Sequence, residues 1–566
     1  MAGIADAKIE MRGAMRAPAE VMRLSRMGSF HPMRLSFSRQ LIRRMHDEGW
    51  QIGVPRLDLD ENGFGVAVIT ARASGDAGGV YSLVAYSHDL DPDRRSDRVI
   101  ADAWDATFTL YDGEPDAATI AAMHPNVSTQ EEGRHREGQL TLSRANKSVR
   151  MFEHVVGCLA EGRQPDPELV NRIGYLMRTT AVYGNGKFGI SDRDRFKDRD
   201  AMAAPFMAEM LTVYLIRHFS LLLVAHLARQ RGGDKAVALD PRLARHFGIG
   251  NATGLGMAPF LVNHQALLHQ WIVAREKAYA RVLEVPALTA AQRHQINTLV
   301  SRARTYTAEW RVDDKVQMDR ITRLEDDLEL LAGWVGDDTI MGGTYPLRQL
   351  AQKTAALSVE AQEMLVSIII EPFGEIVDAL GDEMAVDEAP RFLSGRKVAD
   401  LNAALTEHYG WAMQIDLADR DQSALFWYTS AAKLEPRLGR RYEEDGAECE
   451  FPFDIPHQVQ AAAADLAGAD EDMLAADFMM RHPQHRFILR RVMETAAYPY
   501  GEIEDNLVAV TTRPIDMLRC KLSFFGASKF DPKSDLWTRI TLYQGAPLAA
   551  ELADATVDDW LFPALG

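Results

Sequence analysis

The sequence predicts a mainly α protein. A large helical core is joined to a smaller α+β portion with an antiparallel sheet, built from the N-terminal segment, with the C-terminal segment as a second contributor. Three observations predict it. Apolar residues recur at helical spacing over most of residues 140–498. Two β-rich runs, FGVAVITARA (64–73) and VYSLVAYS (80–87), flank a Gly/Asp/Ser-rich cluster and read as a hairpin. The last stretch changes character: LVAVTTRPIDML and TRITLYQG lean towards strands, with Gly, Pro, Lys and Asp between them. The expected organisation is an N-terminal α+β domain over 1–135, a helical domain over 136–498 and a C-terminal α+β segment over 499–566 that packs on the other two.

The remaining elements follow in order. Residues 34–49, RLSFSRQLIRRMHDEG, form a short basic amphipathic helix with Leu35, Leu41, Ile42 and Met45 on one face. Its basic face either meets an anionic surface or, more plainly, is solvated. Residues 99–111 fit a third strand or a helix. Asn146 caps an expected helix over 146–163, with Val149, Phe152, Val156 and Leu159 on one stripe. The most apolar run, 211–228, is long enough to raise the membrane question. Arg217, His218 and His226 interrupt it, so a buried core helix is expected. In 289–335, Ile321, Leu324, Leu328 and Leu331 make a short coiled-coil-like seam, inside the core or between subunits.

Bulk composition bounds the function. The chain has 566 residues, and 63 Lys+Arg against 81 Asp+Glu leave a net charge of −18, which disfavours nucleic-acid backbones as partners. Hydrophobic residues make up 47% and charged residues 25%, an ordinary globular balance that excludes disordered and collagen-like classes. The 3 cysteines, Cys158, Cys449 and Cys520, are far apart and odd in number, which points to a reducing, cytoplasmic setting. The N-terminus lacks a continuous apolar stretch, so no secretory signal is expected.

Three segments could carry chemistry. Residues 245–264, RHFGIGNATGLGMAPFLVNH, concentrate Gly248, Gly250, Gly254 and Gly256 ahead of an apolar helical pattern. Clustered glycines let backbone N–H groups approach an anion, and a helix N-terminus adds its dipole. Asn251, Thr253 and Asn263 would add side-chain donors. The plain alternative is a close helix–helix crossing. The spacing of Gly254, Gly256 and Asn263 is similar to the GxGx6N of the helical domain of β-hydroxyacid dehydrogenases. Phe260 stands where that family has its catalytic lysine, and no Rossmann fingerprint precedes it, so no membership is inferred.

The second segment, RTTAVYGNGKFGISDRDR (178–195), places Asn185 and Lys187 on a tight turn, where Lys187 either neutralises a ligand anion or is a solvated loop lysine. The third, residues 498–539, mixes the acids Glu502, Glu504 and Asp505 with the cations Arg519, Lys521 and Lys529 among Phe524, Phe525, Phe530 and Trp537, a composition suited to pocket lining. Cys520 between two cations reads either as a thiolate or, more plainly, as a buried thiol. Asp454 and His457 with Glu448 and Glu450 form a loose acidic cluster. No HExxH or zinc-finger spacing appears, and no metal site is expected.

The resulting expectation is an enzyme acting on a small anionic substrate (a carboxylate, phosphate or thioester) by acid–base chemistry. Gly250, Asn251, Thr253, Gly254, Asn263, Asn185, Lys187, Arg519, Lys521 and Lys529 would bind the substrate. His264 would act with Tyr500 or Glu502. The reaction and any cofactor are left open. The expected partners are that small anion and further copies of the chain, with no nucleic acid and no membrane span. The alternative is a non-catalytic helical scaffold or assembly protein, which would expose an apolar stripe along 289–335.

Overall fold

A computed structural model of the protein describes residues 15–74, 79–90, 103–129, 136–184, 202, 204–251, 264–312, 315–382, 395–419, 427–429, 436–438, 448–449, 455–503, 516, 519–534, 537–554 and 558–565.

Strand-forming segments dominate the first third. Helices α1 (Pro18–Val21), α2 (Leu24–Met27) and α3 (Phe37–Asp47) lead into β1 (Gln51–Leu59), β2 (Gly65–Arg72), β3 (Val80–Ser87) and β4 (Ala106–Asp112). Helix α4 (Ala117–Thr129) precedes β5 (Gln139–Lys147). Helices α5 (Phe152–Ala160) and α6 (Pro167–Ile173) precede β6 (Tyr175–Gly184). The 26-residue α7 (Met207–Gly232), α8 (Pro241–His246) and β7 (Gly248–Asn251) follow. A helical run comes next: α9 (Gln265–Leu283), α10 (Ala290–Ala308), α11 (Lys315–Val335), α12 (Asp338–Met341), α13 (Pro346–Thr354), α14 (Val359–Ile370), α15 (Gly374–Asp382) and α16 (Val398–Met413). Short strands β8 (Trp427–Thr429), β9 (Pro436–Leu438) and β10 (Glu448–Cys449) form a small sheet of their own. The chain ends through α17 (Ile455–Ala467), α18 (Ala475–Arg481), α19 (Arg486–Ala497), α20 (Lys521–Phe525), β11 (Lys529–Ser534) and β12 (Trp537–Leu542).

The architecture corrects the expected fold class. The protein is α+β with a large, nine-stranded mixed sheet in the order β1-β2-β3-β4-β5-β6-β7-β12-β11, in place of a mainly α chain with a small antiparallel portion. Strands β1 to β6 are an antiparallel meander, β6 and β7 run parallel, and β12 pairs antiparallel with both β7 and β11. The error lies in the stretch read as helical: β5, β6 and β7 fall inside it. In QLTLSRANK, Leu140 and Leu142 alternate with polar residues, and YLMRTTAVYG is rich in aromatic and β-branched side chains, both strand signals. Asn146, expected as a helix cap, sits instead in β5, where its side chain accepts from the Asp105 N–H at 2.9 Å. Cys520 immediately precedes helix α20.

Side-chain alternation gives the sheet two apolar faces. Val68, Val84 and Leu142 pack with Ile120, Met123 and Val127 of α4, while Ala67, Ile69, Leu83 and Phe108 belong to the main core. Helix α7 lies against that second face. Phe219 meets Phe108 edge-on at 5.5 Å, and the Thr212 and Thr141 hydroxyls are 2.7 Å apart. One helix among the described residues, α7 with the residues just after it, is long and apolar enough to cross a membrane, and 72% of its most apolar window is buried inside the fold. Its charged interruption is satisfied internally. Arg217 donates to the carbonyls of Arg245, Phe247, Ala546 and Pro547 at 2.6–3.0 Å, tying the chain before β7 to the chain after β12. The helices α10 and α11 bury Leu299, Val300, Ile321, Leu324, Leu328 and Leu331 in the same core. A separate apolar cluster unites α16, α17 and α19 through Leu401, Leu405, Val459, Ile488 and Val492.

The basic face of α3 is not solvated. Arg39 and Arg43 are buried: Arg39 donates to Glu371 and Asp558, and Arg43 lies 3.5 Å from both Asp378 and Asp558. Those acids come from α14, α15 and the end of the chain, so the helix's own pattern carries no sign of them.

Candidate functional site

The two segments singled out by composition include adjacent strands of the sheet. Strands β6 and β7 are parallel neighbours with Arg178 opposite Gly250 and Thr179 opposite Asn251, and in open α/β sheets ligands gather beyond such carboxyl ends. Asn185, Lys187, Thr253, Gly254 and Asn263 lie outside the described residues. Gly250 and Asn251 are in β7 itself, a strand where the sequence reading expected none. Their register continues across the sheet: Gly250 faces Thr541, and Thr541 faces Lys529, so Arg178, Gly250, Thr541 and Lys529 form one row.

Two of the four glycines have a packing reason. A Cβ on Gly248 would stand 2.3 Å from the Leu542 carbonyl oxygen, and one on Gly250 would meet the Tyr175 ring at 3.0–3.1 Å. The close approach of β12 therefore requires a residue without a side chain at Gly248, while at Gly250 a side chain would press on the Tyr175 ring.

The expected acid–base group makes its hydrogen bonds in different directions. Glu502 is held by Arg491, with N–O distances of 2.6 and 2.9 Å, and accepts from the Tyr409 hydroxyl at 2.5 Å. Tyr500 donates its hydroxyl to the Arg16 carbonyl at 2.7 Å and its backbone N–H to His269 Nδ1 at 3.1 Å. His264 precedes α9, and its pKa is lowered to about 4, by burial first and then by the charges of Arg490 and Arg491. Arg519 is buried and donates to Gln317 at 3.3 Å and to Glu360 at 3.4 Å. Lys521 is buried too. The Cys520 thiol is pushed up to about 12 by burial, against the pull of Lys521, which suits the plain reading of an inert thiol.

Sequence reasoning missed three features of the interior. Arg16, Arg26 and Arg275 surround Glu276 and Glu363, both carboxylates at 0% exposure, with N–O distances of 2.6–2.8 Å. Burial would raise the Glu363 pKa, but Arg16 and Arg275 overcome it and hold the carboxyl below its usual range. His31, also buried, is pushed down to about 3 by burial and by the Arg519 charge. Glu209, in the first turn of α7, is the opposite case: burial raises it to about 7. One turn on, Thr212 bonds Thr141, the register partner of Gly184 at the end of β6. A carboxyl titrating near neutrality beside strand ends is a functional-group candidate. Only its place in an otherwise apolar helix marked it in the sequence.

An open concavity of ≈ 620 Å³ lies elsewhere, between α8, α10 and the chain after β12. Leu243, Trp560, Leu561 and Phe562 give it apolar walls, and Arg242, Arg245, Arg302 and His246 give it cationic ones. Asp559 is the acid among the lining residues. It takes Arg302 in a two-point pair, while Arg245 donates to the Gly545 carbonyl at 2.9 Å and lies 3.9 Å from Glu551. His246 is buried in the wall, with Nε2 2.7 Å from the Gln544 amide nitrogen, so Nε2 accepts and the ring proton sits on Nδ1. The sequence trace of this cleft is RxxRH, Arg242 to His246, in α8.

No family model, curated protein or solved structure matches the chain, so the site stands on its own geometry.

Proposed function

We propose that the protein binds and acts on a small anionic molecule with an apolar portion, in the cleft between α8, α10 and the C-terminal segment. One observation carries the reading. In a chain of net charge −18, a cleft of ≈ 620 Å³ brings together three arginines against one lining carboxylate, over a floor of Trp560 and Phe562. Arginine forks match carboxylate and phosphate, and apolar walls with a few convergent charges are the usual make-up of small-molecule pockets. Acid–base chemistry on the bound anion falls to His246. Against the scaffold alternative, Ile321, Leu324, Leu328 and Leu331 are buried in the protein's own core, and among the described residues of that segment the exposed large apolar side chains are Val316 and Leu330.

The test is a thermal-shift screen of the full chain against inorganic phosphate, short mono- and dicarboxylates and acyl thioesters. A ligand at one hundred times its dissociation constant adds about 2.7 kcal/mol of native stability. A shift that the Arg242→Ala and Arg302→Ala variants abolish supports the cleft. A shift equal in wild type and variants, or none with any anion, overturns it.

A further inference from the structure

Helix α17, the turn after α18 and the start of α19 bring three metal-binding side chains to one point. Asp465 Oδ2 lies 2.6 Å from His485 Nε2 and 3.2 Å from His482 Nδ1. All three ligand atoms are within 4.8 Å of one another. The sequence between the histidines is His482-Pro483-Gln484-His485, and a single 3₁₀ turn over Pro483–His485 presents both rings on the same side. The rings are held in place. His482 stacks on Phe478 at 4.5 Å and 22°, and the two imidazoles are 17° from parallel at 6.0 Å. His485 is buried, while His482 and Asp465 are partly exposed, which leaves an approach from solvent. Phe478 itself belongs to the apolar cluster of α16, α17 and α19, so the rings rest on a packed support rather than on a loop.

We propose that Asp465, His482 and His485 form a binding site for a divalent transition-metal ion of the zinc type, with water completing the coordination. Two imidazoles and one carboxylate are a borderline nitrogen–oxygen donor set, which suits Zn²⁺ and Co²⁺ better than Ca²⁺ or Mg²⁺. In a tetrahedral zinc site with metal–ligand bonds of about 2.0–2.1 Å, neighbouring donors stand roughly 3.3 Å apart. The Asp465–His482 distance already matches, and the Asp465–His485 pair needs to open by less than an ångström. A hydrogen-bonded Asp–His–His cluster without metal is the competing explanation. In that case both ring nitrogens carry protons towards the same carboxylate oxygen, which also receives the Gln484 amide at 3.4 Å. Metal binding replaces those protons and fastens the end of α17 to the turn that starts α19. Helix α19 carries Arg491, the partner of Glu502, so the bound ion would also steady that ion pair.

The experiment uses the full chain, stripped with a chelator and dialysed, then titrated with Co²⁺ and Zn²⁺. The expected result is one Co²⁺ per chain with visible-region absorption of a low-coordinate nitrogen–oxygen site, displaced by Zn²⁺, and a higher Tm with metal. His482→Ala, at the more exposed ring, and Asp465→Asn, which keeps the side-chain shape, should each weaken Zn²⁺ binding by about 100-fold or more while circular dichroism stays that of the wild type. An affinity and stoichiometry unchanged in the folded double variant would place the metal elsewhere and overturn the proposal. So would failure of the wild type to bind Zn²⁺ at millimolar concentration.

Discussion

Arginine does two kinds of work in this protein, and the contrast lies between the α1–α2/α9/α14 interior and the α8/α10 cleft. In the interior, Arg16, Arg26 and Arg275 are fixed by Glu276 and Glu363, and Arg275 also lies over the Phe30 ring at 3.9 Å. Charges that deep must be met by fixed partners, because losing one partner strands the other in low dielectric. In the cleft, Arg242, Arg245 and Arg302 lie at the surface, and their carboxylate neighbours Asp240, Glu551 and Asp559 are themselves within reach of water. Such pairs contribute little to folding and can exchange one anion for another. The same side chain is structural where water is excluded and available where it is not.

Four experiments break or sharpen that contrast, from the largest expected effect downwards. Glu363→Gln leaves Arg16 and Arg275 sharing Glu276 and leaves Arg26 with the half-exposed Glu20, and the expected loss is about 3–5 kcal/mol in urea unfolding. A loss below about 1 kcal/mol would mean that the interior network relaxes like a surface one.

The second experiment follows proton uptake. His31 is neutral when folded because its pKa is depressed, so between pH 6.5 and about 3 the unfolded chain holds the extra proton. Stability then falls as pH drops through that window, by up to about 1.4 kcal/mol per pH unit for one group. His31→Phe should flatten the measured slope relative to wild type by about that amount. Glu209 works in the opposite sense. Its raised value means that stability is lost as pH rises from about 4.5 to about 7, and Glu209→Gln should remove that loss. Parallel pH profiles for wild type and variant would refute either assignment.

Third, Arg302→Ala should cost only about 0–1 kcal/mol of stability, yet weaken any anion found in the cleft by roughly tenfold or more, as loss of a charged hydrogen bond does. A large unfolding penalty with unchanged binding would assign Arg302 to the structural class. Last, Arg304→Ala removes an exposed pair with Glu329, and a change of about 0.5 kcal/mol or less is expected in the same urea assay.

The sequence revealed local structure better than long-range structure. The β2–β3 hairpin was legible because alternation and a glycine-rich turn lie within a single window, and the pairs Val68↔Val84 and Ile69↔Leu83 realise it. Strand β5 was not, because a few alternating leucines beside a helix-compatible segment do not separate the two periods. The burial of Arg39 was invisible because Glu371 and Asp558 arrive from 332 and 519 positions away. The glycines at 248 and 250 were visible as special, but their packing neighbours were not: β12 at Gly248 and the Tyr175 ring at Gly250. The cleft and the Asp465–His482–His485 cluster were missed for the same cause. Each needs residues from separated helices, while motif reading sees only spacing along one.

The sheet has a further consequence for how the protein is made. Its seventh strand can find its outer neighbour only after a long further stretch has been synthesised, since Gly250 pairs with Thr541 across that junction, about 290 residues later. At a synthesis rate of about 5–20 residues per second, the outward edge of β7 waits on the order of tens of seconds in a nascent chain, a template for wrong pairing between neighbours on a polysome. Efficient production should therefore depend on a holdase or on slow, cool expression more than the stability of the finished molecule would suggest.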